Sequence, residues 1–334
     1  MAFDLPTIWA VLICVALTAY VVLDGFDLGI GVLFWFGKDR KERDTMMNTV
    51  APVWDGNETW LILGGGGLFA AFPLAYSVLL TAFYAPLIAM LLALVLRGVA
   101  FEFRFRTERW KPYWSAAFFG GSTVAAFCQG VMVGAFVQGV EVQDGVYAGG
   151  WFDWLTPFTL VTGLALVAGY ALLGAGWLVI KTSGDIHARM AKLRIPLGIA
   201  AIVLLGGVSL GTLYQDADIA ARWFGGGFYI LLWAIPALTG LAAIGWLATA
   251  WRGMEVTPFL CSLVMFALAM AGLAASLYPN LIPPDISYRE AANADGSLAF
   301  MLVGALVLLP VILGYTAYAY WIFRGKVDPE HGYH

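Results

Sequence analysis

Charge is what this chain has least of: 12% of its 334 residues are Asp, Glu, Lys or Arg, against 61% hydrophobic. So little polar material cannot cover a soluble globule, and a mean hydropathy of +0.81 marks an integral membrane protein. Histidine is nearly missing too. His187 falls in a polar loop and His331 and His334 in the tail, so no membrane span offers an imidazole and this chain cannot hold a haem in the membrane by histidine ligation. Cys14, Cys128 and Cys261 lie in apolar segments without CxxC or CxxxC spacing. That argues against thiol metal ligation and a disulfide framework and leaves them, like Met90, Met132 and Met301, as packing residues. No basic run interleaved with aromatics points to nucleic acid. The start, Met1 to Pro6, carries Asp4 and no Lys or Arg, so no cleaved secretory signal is expected.

What is abundant is apolar sequence in runs of about 20 residues, enough to cross roughly 30 Å of hydrocarbon. Such runs occur near 7–36, 51–73, 76–100, 116–140, 157–180, 195–214, 226–250, 257–278 and 298–323, and predict nine spans. The first is long and contains Gly25, Gly29 and Gly31, so a tilt or kink is expected there. Lys38, Arg40, Lys41 and Arg43, then Arg104, Arg106, Arg109 and Lys111, then Lys181, Arg189, Lys192 and Arg194 fall between alternate spans. With Arg252, Arg324 and Lys326 they share one side, while the other side offers Arg222 and Arg289 among several acids. The positive-inside rule then places the N-terminus outside and the C-terminus in the cytoplasm. The longest connection without helical patterning is 279–297. No segment outside the membrane is large enough to fold alone, so residues 1–334 read as one transmembrane domain.

Against this background the ionisable residues within spans stand out. Asp24 and Asp27 share one face of span one, and Asp55 and Glu58 lie in Trp54-Asp-Gly-Asn-Glu-Thr-Trp60 at the start of span two, again three apart. Arg97 closes span three. All five belong to one membrane half, a distribution suited to a proton entry or to an internally neutralised polar cluster. Plainer readings compete. Asp55-Gly56-Asn57 also suits a helix start whose side chains cap orphan N–H groups, Arg97 also suits snorkelling to headgroups, and Trp54 and Trp60 also suit an interfacial belt. Glu102 and Arg104 read as a solvated ion pair at the interface. Gly64 to Gly67 lacks the Lys-Ser/Thr of a phosphate loop and reads as close helix packing.

Six strings, Asp24-Gly-Phe-Asp-Leu-Gly29, Trp54 to Trp60, Arg97-Gly-Val-Ala-Phe-Glu-Phe-Arg104, Leu232-Trp-Ala-Ile-Pro-Ala-Leu238, Tyr278-Pro-Asn280 and Tyr315-Thr-Ala-Tyr318, resemble in that order subunit II of the cytochrome bd-type quinol oxidases. The resemblance covers nearly the whole chain, whose length is similar to the cyanide-insensitive branch. It implies an all-α fold of two four-helix bundles plus one peripheral helix. It also implies a heterodimer in a bacterial cytoplasmic membrane, with haems b and d, or b alone, in subunit I. This subunit would hold no haem, no metal and no catalytic residue of its own. The complex would oxidise quinol and reduce dioxygen to water with protons drawn from the cytoplasm. In the family, carboxylates matching Asp27 and Asp55 are proposed to line the proton route, to which spacing and depth add Glu58 and Asp24, with Arg97 as charge partner. An oxygen passage is proposed near the position of Trp60. A quinone held as a structural lipid and a small accessory subunit are left open. Two other classes fit buried carboxylates: a proton-coupled secondary transporter, whose charges usually sit at the midplane, and a purely structural companion of the haem subunit.

Overall fold

The computed structural model describes residues 4–225 and 232–327. Apolar runs become helices because nothing in hydrocarbon can pair with a bare backbone N–H or C=O, so each segment satisfies its own. The described residues form twelve α-helices: α1 Leu5–Val32, α2 Arg40–Asn48, α3 Trp54–Ala71, α4 Pro73–Ala82, α5 Tyr84–Phe103, α6 Lys111–Gln138, α7 Pro157–Lys181, α8 Gly184–Thr212, α9 Ala217–Gly225, α10 Ala234–Trp251, α11 Val256–Leu277 and α12 Asp295–Ile322. A short 3-10 turn, Phe34–Phe36, and two short antiparallel hairpins, β1 Val142–Gln143 with β2 Val146–Tyr147 and β3 Asn280–Ile282 with β4 Ile286–Ser287, complete the description. The second hairpin lies within 279–297, which the sequence presented as irregular.

Eight helices, α1, α5 to α8 and α10 to α12, are long and apolar enough to cross a membrane. The expected second span is α3, whose first turns hold Asp55, Asn57 and Glu58 and keep it out of that set. The third divides at Phe83, leaving α4 as a separate ten-residue helix ahead of α5. The seventh was expected from 226; residues 226–231 lie outside the described ones, as do His331 and His334, and α10 begins at Ala234. α8 starts at Gly184, well before the apolar run expected from 195, so His187 sits in its first turn rather than in a loop. α2 and α9 are helices where connections were expected. α2 is started by Asp39, whose carboxylate accepts from the Glu42 N–H at 2.9 Å.

α1 packs against α3, α6, α7, α11 and α12. Gly25 to Gly31 are all buried within one continuous helix, where Gly29 lets α7 approach backbone to backbone and Gly31 meets Ser122 of α6. A Cβ on Gly29 would lie 1.8 Å from the Tyr170 carbonyl oxygen, and one on Gly174 would lie 2.4 Å from the Gly29 carbonyl carbon. The glycine run of α3 is split in role: Gly64 and Gly67 face Leu17 and Ile13 of α1, while Gly65 and Gly66 border open space.

The basic segments gather at one end of the helices. Arg189 bridges Glu42 at 2.7 Å, Arg40 bridges Glu108 at 3.3 Å, and Lys326 bridges Glu255 at 3.2 Å. Arg104 is not solvated. It is buried, pairing with Asp44 at 2.5 Å and donating to Ser115, while Glu102 pairs with Arg106 on the exposed side. The opposite end is tied by Arg289 to Asp4, by Thr7 to Tyr288 at 3.0 Å and by the Asn293 N–H to the Ala71 carbonyl at 2.8 Å.

Candidate functional site

Three of the five expected ionisable residues are wholly enclosed. Asp24 and Asp27, three apart on α1, and Arg97 on α5 have side chains 0% exposed. Arg97 donates from Nη2 to Asp24 Oδ1 at 2.9 Å and from Nη1 to Glu58 Oε2 at 3.0 Å, while Asp27 Oδ2 lies 3.9 Å from Nη2. The guanidinium therefore makes direct bonds to two carboxylates and only a longer electrostatic contact to the third. Glu58 is 23% exposed and is the one member of the cluster that reaches the surface of this chain. Arg97 does not snorkel. It lies 5.6 Å above the Trp54 ring, and Trp54 stacks on Phe101 with ring centroids 4.6 Å apart and planes 2° apart.

Asp55 is placed differently. It is exposed on α3, on the face turned away from α1, within electrostatic reach of Glu58 but outside the buried group. Its backbone carbonyl accepts from Thr59 at 2.9 Å. α3 has no side-chain N-cap bond, so Asp55 and Asn57 do not serve the capping role that the sequence also allowed. Trp60 is not a belt residue: it is 3% exposed, packed with Ala16 and Tyr20 of α1 and against Leu309 and Ile312 of α12, and its indole N–H has no partner among the described residues.

Asn57, which the sequence offered only as a helix-start residue, and three tyrosines and a glutamine that it did not single out complete the site. Asn57 Nδ2 donates to Asp27 Oδ2 at 2.8 Å and to the Leu23 carbonyl at 3.3 Å, and its Oδ1 accepts from the Tyr320 hydroxyl of α12 at 2.9 Å. On the other flank the Tyr170 hydroxyl of α7 donates to Gln129 Oε1 of α6 at 3.0 Å, and Gln129 Nε2 donates to the Tyr20 hydroxyl at 2.6 Å. Tyr20 precedes Asp24 by one turn of α1. Gln129 had a readable signal, an amide inside an apolar run that must find a partner in hydrocarbon. The three tyrosines had none, since amphipathic aromatics occur throughout membrane spans.

Three carboxylates around one guanidinium carry a charge of −2 when all are ionised. A buried charge without a partner costs several kcal/mol, so such a group is stable only if it also binds protons. Chemically such a group is able to take up and release protons, and Glu58 is its one member with solvent exposure. No group of three or more His, Cys, Asp or Glu side chains among the described residues is arranged to hold a metal ion.

Residues 5–323 match the family described as cytochrome bd terminal oxidase subunit II. The chain is 32% identical to cytochrome bd-I ubiquinol oxidase subunit 2 of Escherichia coli strain K12, covering 97% of this chain and 95% of that one. It is 29% identical to cytochrome bd ubiquinol oxidase subunit 2 of Bacillus subtilis strain 168, covering 97% of each. In fold it resembles a chain of the bd oxidase from Geobacillus thermodenitrificans, with a TM-score of 0.75 at 16% identity over 96% of this chain and 99% of that chain.

Proposed function

Because the chain belongs to the cytochrome bd terminal oxidase subunit II family, we propose that it is the haem-free second subunit of a quinol:dioxygen oxidoreductase and that its buried cluster feeds protons toward the partner subunit. The transporter reading gives way to the family assignment. Haems and quinol belong, in this reading, to subunit I. The chemistry they supply is the transfer of electrons from quinol to dioxygen, which consumes one proton for each electron.

The basic end of the helices faces the cytoplasm, by the positive-inside rule. Counting α3 as a span gives nine crossings, arranged as two four-helix bundles with α12 as the peripheral helix. The N-terminus then lies outside and the C-terminus inside. Asp55 stands at the mouth, passes a proton to Glu58 three residues on, and Glu58 delivers it to the Asp24 and Asp27 pair. Arg97 links the two stages, since one guanidinium bonds Glu58 and Asp24 together. An oxygen passage beside Trp60 belongs to the same reading and would use the apolar packing of Trp60 against α12. The observation that carries the proposal is the enclosed carboxylate cluster with Glu58 alone at the surface.

The test is the complex isolated from its native membrane by a tag on this chain, assayed for a reduced-minus-oxidised haem spectrum, quinol-dependent oxygen uptake and proton uptake from the inner side. Haem bands with oxygen consumption are expected, together with slowed proton uptake in Asp55→Asn and Asp27→Asn. Full turnover with normal proton uptake in both variants would overturn the route. A colourless preparation would overturn the oxidase assignment.

A further inference from the structure

One of the two buried aspartates, Asp27, accepts from an amide that itself accepts from a tyrosine on a distant helix. Around Asp27 the arrangement has one polarity. Asn57 Nδ2 faces two acceptors, Asp27 Oδ2 and the Leu23 carbonyl, so turning the amide over would set oxygen against oxygen. Tyr320 then has to donate to Asn57 Oδ1. On the Asp24 side Tyr170 donates to Gln129 and Gln129 donates to Tyr20, one turn before Asp24.

Each carboxyl group keeps one buried oxygen without a hydrogen-bond partner among the described residues, Oδ2 of Asp24 and Oδ1 of Asp27. They differ at the other oxygen: that of Asp24 accepts from Arg97 at 2.9 Å, whereas that of Asp27 accepts from Asn57 at 2.8 Å and stands 3.9 Å from Arg97. The charged and titratable groups that face Asp27 are Asp24 on its own helix, Glu58 on α3, Arg97 on α5 and Tyr320 on α12. α6 and α7 contribute Gln129 and Tyr170, on the Asp24 flank.

We propose that the cluster divides its labour: Arg97 holds Asp24 as its fixed counter-ion, and Asn57, with Tyr320 behind it as a positioning residue, holds Asp27 as the site that takes up and releases the proton. Asp27 Oδ1, free of hydrogen bonds, is the atom that gains it. Asn57 donates to the other oxygen and keeps Oδ1 turned away from the amide. The inference rests on the proton-route reading above and assigns the exchanging residue within it.

The experiment uses the purified complex in four variants, Tyr320→Phe, Tyr170→Phe, Asp27→Asn and, as a control on an exposed tyrosine of the same helix, Tyr318→Phe. An intact haem spectrum establishes that each has assembled. Two quantities are read: the pH profile of oxygen uptake, and the carboxylic C=O band in redox-induced infrared difference spectra, assigned to Asp27 by its loss in Asp27→Asn. Tyr320→Phe takes away the donor to Asn57 Oδ1 and weakens the hold of that amide on Asp27. A net hydrogen bond of about 1 kcal/mol corresponds to a shift of about half to one pH unit, here toward higher pH. The C=O band should move with it. Tyr170→Phe and Tyr318→Phe should leave profile and band in place, because a fixed counter-ion does not titrate. Equal shifts from Tyr320→Phe and Tyr170→Phe, or none from Tyr320→Phe, would overturn the division of labour while leaving the route intact. A band unchanged in Asp27→Asn would show that Asp27 does not exchange a proton at all and would also overturn it. Normal proton uptake in Asp27→Asn with slowed uptake in Asp55→Asn would overturn the assignment of Asp27 while leaving the route; normal uptake in both would remove the route as well.

Discussion

Replacing Arg97 by Gln removes the sole cation of the buried cluster and leaves Asp24, Asp27 and Glu58 facing one another. Asp24 and Asp27 have no solvent exposure, and Asp24 loses its one direct ionic partner. Breaking a buried ion pair from one side costs about 3–5 kcal/mol, chiefly through the stranded charge. For a chain of this size each kcal/mol moves a thermal midpoint by about 2 °C. The Arg97→Gln complex should therefore unfold about 6–10 °C lower, read as loss of haem absorbance on heating in detergent. The double variant Asp24→Asn, Arg97→Gln strands one carboxylate fewer and should recover at least half of that loss, because residues in one ionic network are not additive. The reasoning fails if Arg97→Gln lowers the midpoint by less than about 2 °C, or if the double variant is as unstable as the sum of the single ones.

Three further outcomes follow from the packing and the surface pairs. Gly29→Ala places a methyl group 1.8 Å from the Tyr170 carbonyl oxygen and should cost more than about 3 kcal/mol or abolish assembly, whereas Gly65→Ala, with open space around it, should change stability by less than about 0.5 kcal/mol; haem content after purification distinguishes them. Trp54→Leu removes both the stack on Phe101 and the ring beneath Arg97, a loss of about 1–3 kcal/mol measurable by the same thermal assay. At the basic end, hydrogen bonds from Arg189, and secondarily from the Lys38 N–H, hold the Glu42 carboxyl below its ordinary value of 4.5. Its folded value being the lower one, Glu42 contributes stability above about pH 4.5 that disappears as pH falls through the folded value. Glu42→Gln should therefore lower the midpoint at pH 7 and make no difference in strong acid, and salt should narrow the gap at pH 7.

The composition made the membrane class legible, and the alternation of basic loops foreshadowed the end at which Arg189, Arg40 and Lys326 meet their partners. The i,i+3 spacing placed Asp24 beside Asp27 correctly, because helical periodicity alone decides it. What spacing could not decide was which face of α3 turns inward. Asp55 and Glu58 are three apart, yet Asp55 is exposed and Asn57 is buried, since the inward direction is set by where α1 and α12 pack. Arg104 escaped for a similar reason: its partner Asp44 lies on α2, a helix too polar to register as an apolar run and built by contacts with the ends of its neighbours. Tyr320 and Tyr170 were invisible because their roles depend on reaching an amide on another helix.

The contact between Asp24 and Arg97 joins residues 73 positions apart, and this has a bearing on how the protein is made. The first helix carries its two acids out of the ribosome long before the guanidinium exists. At about 5–20 residues per second, the delay is about 4–15 s. Throughout it the aspartates face lipid or the insertion machinery without their cation, and the bond from Tyr320 closes the site only when the last helix arrives. The first span is thus held as an unfinished intermediate that the fifth helix rescues and the final one seals. A chain truncated before α12 would leave Asn57 and Asp27 with an open flank, which gives membrane quality control a polar mark by which to recognise incomplete copies.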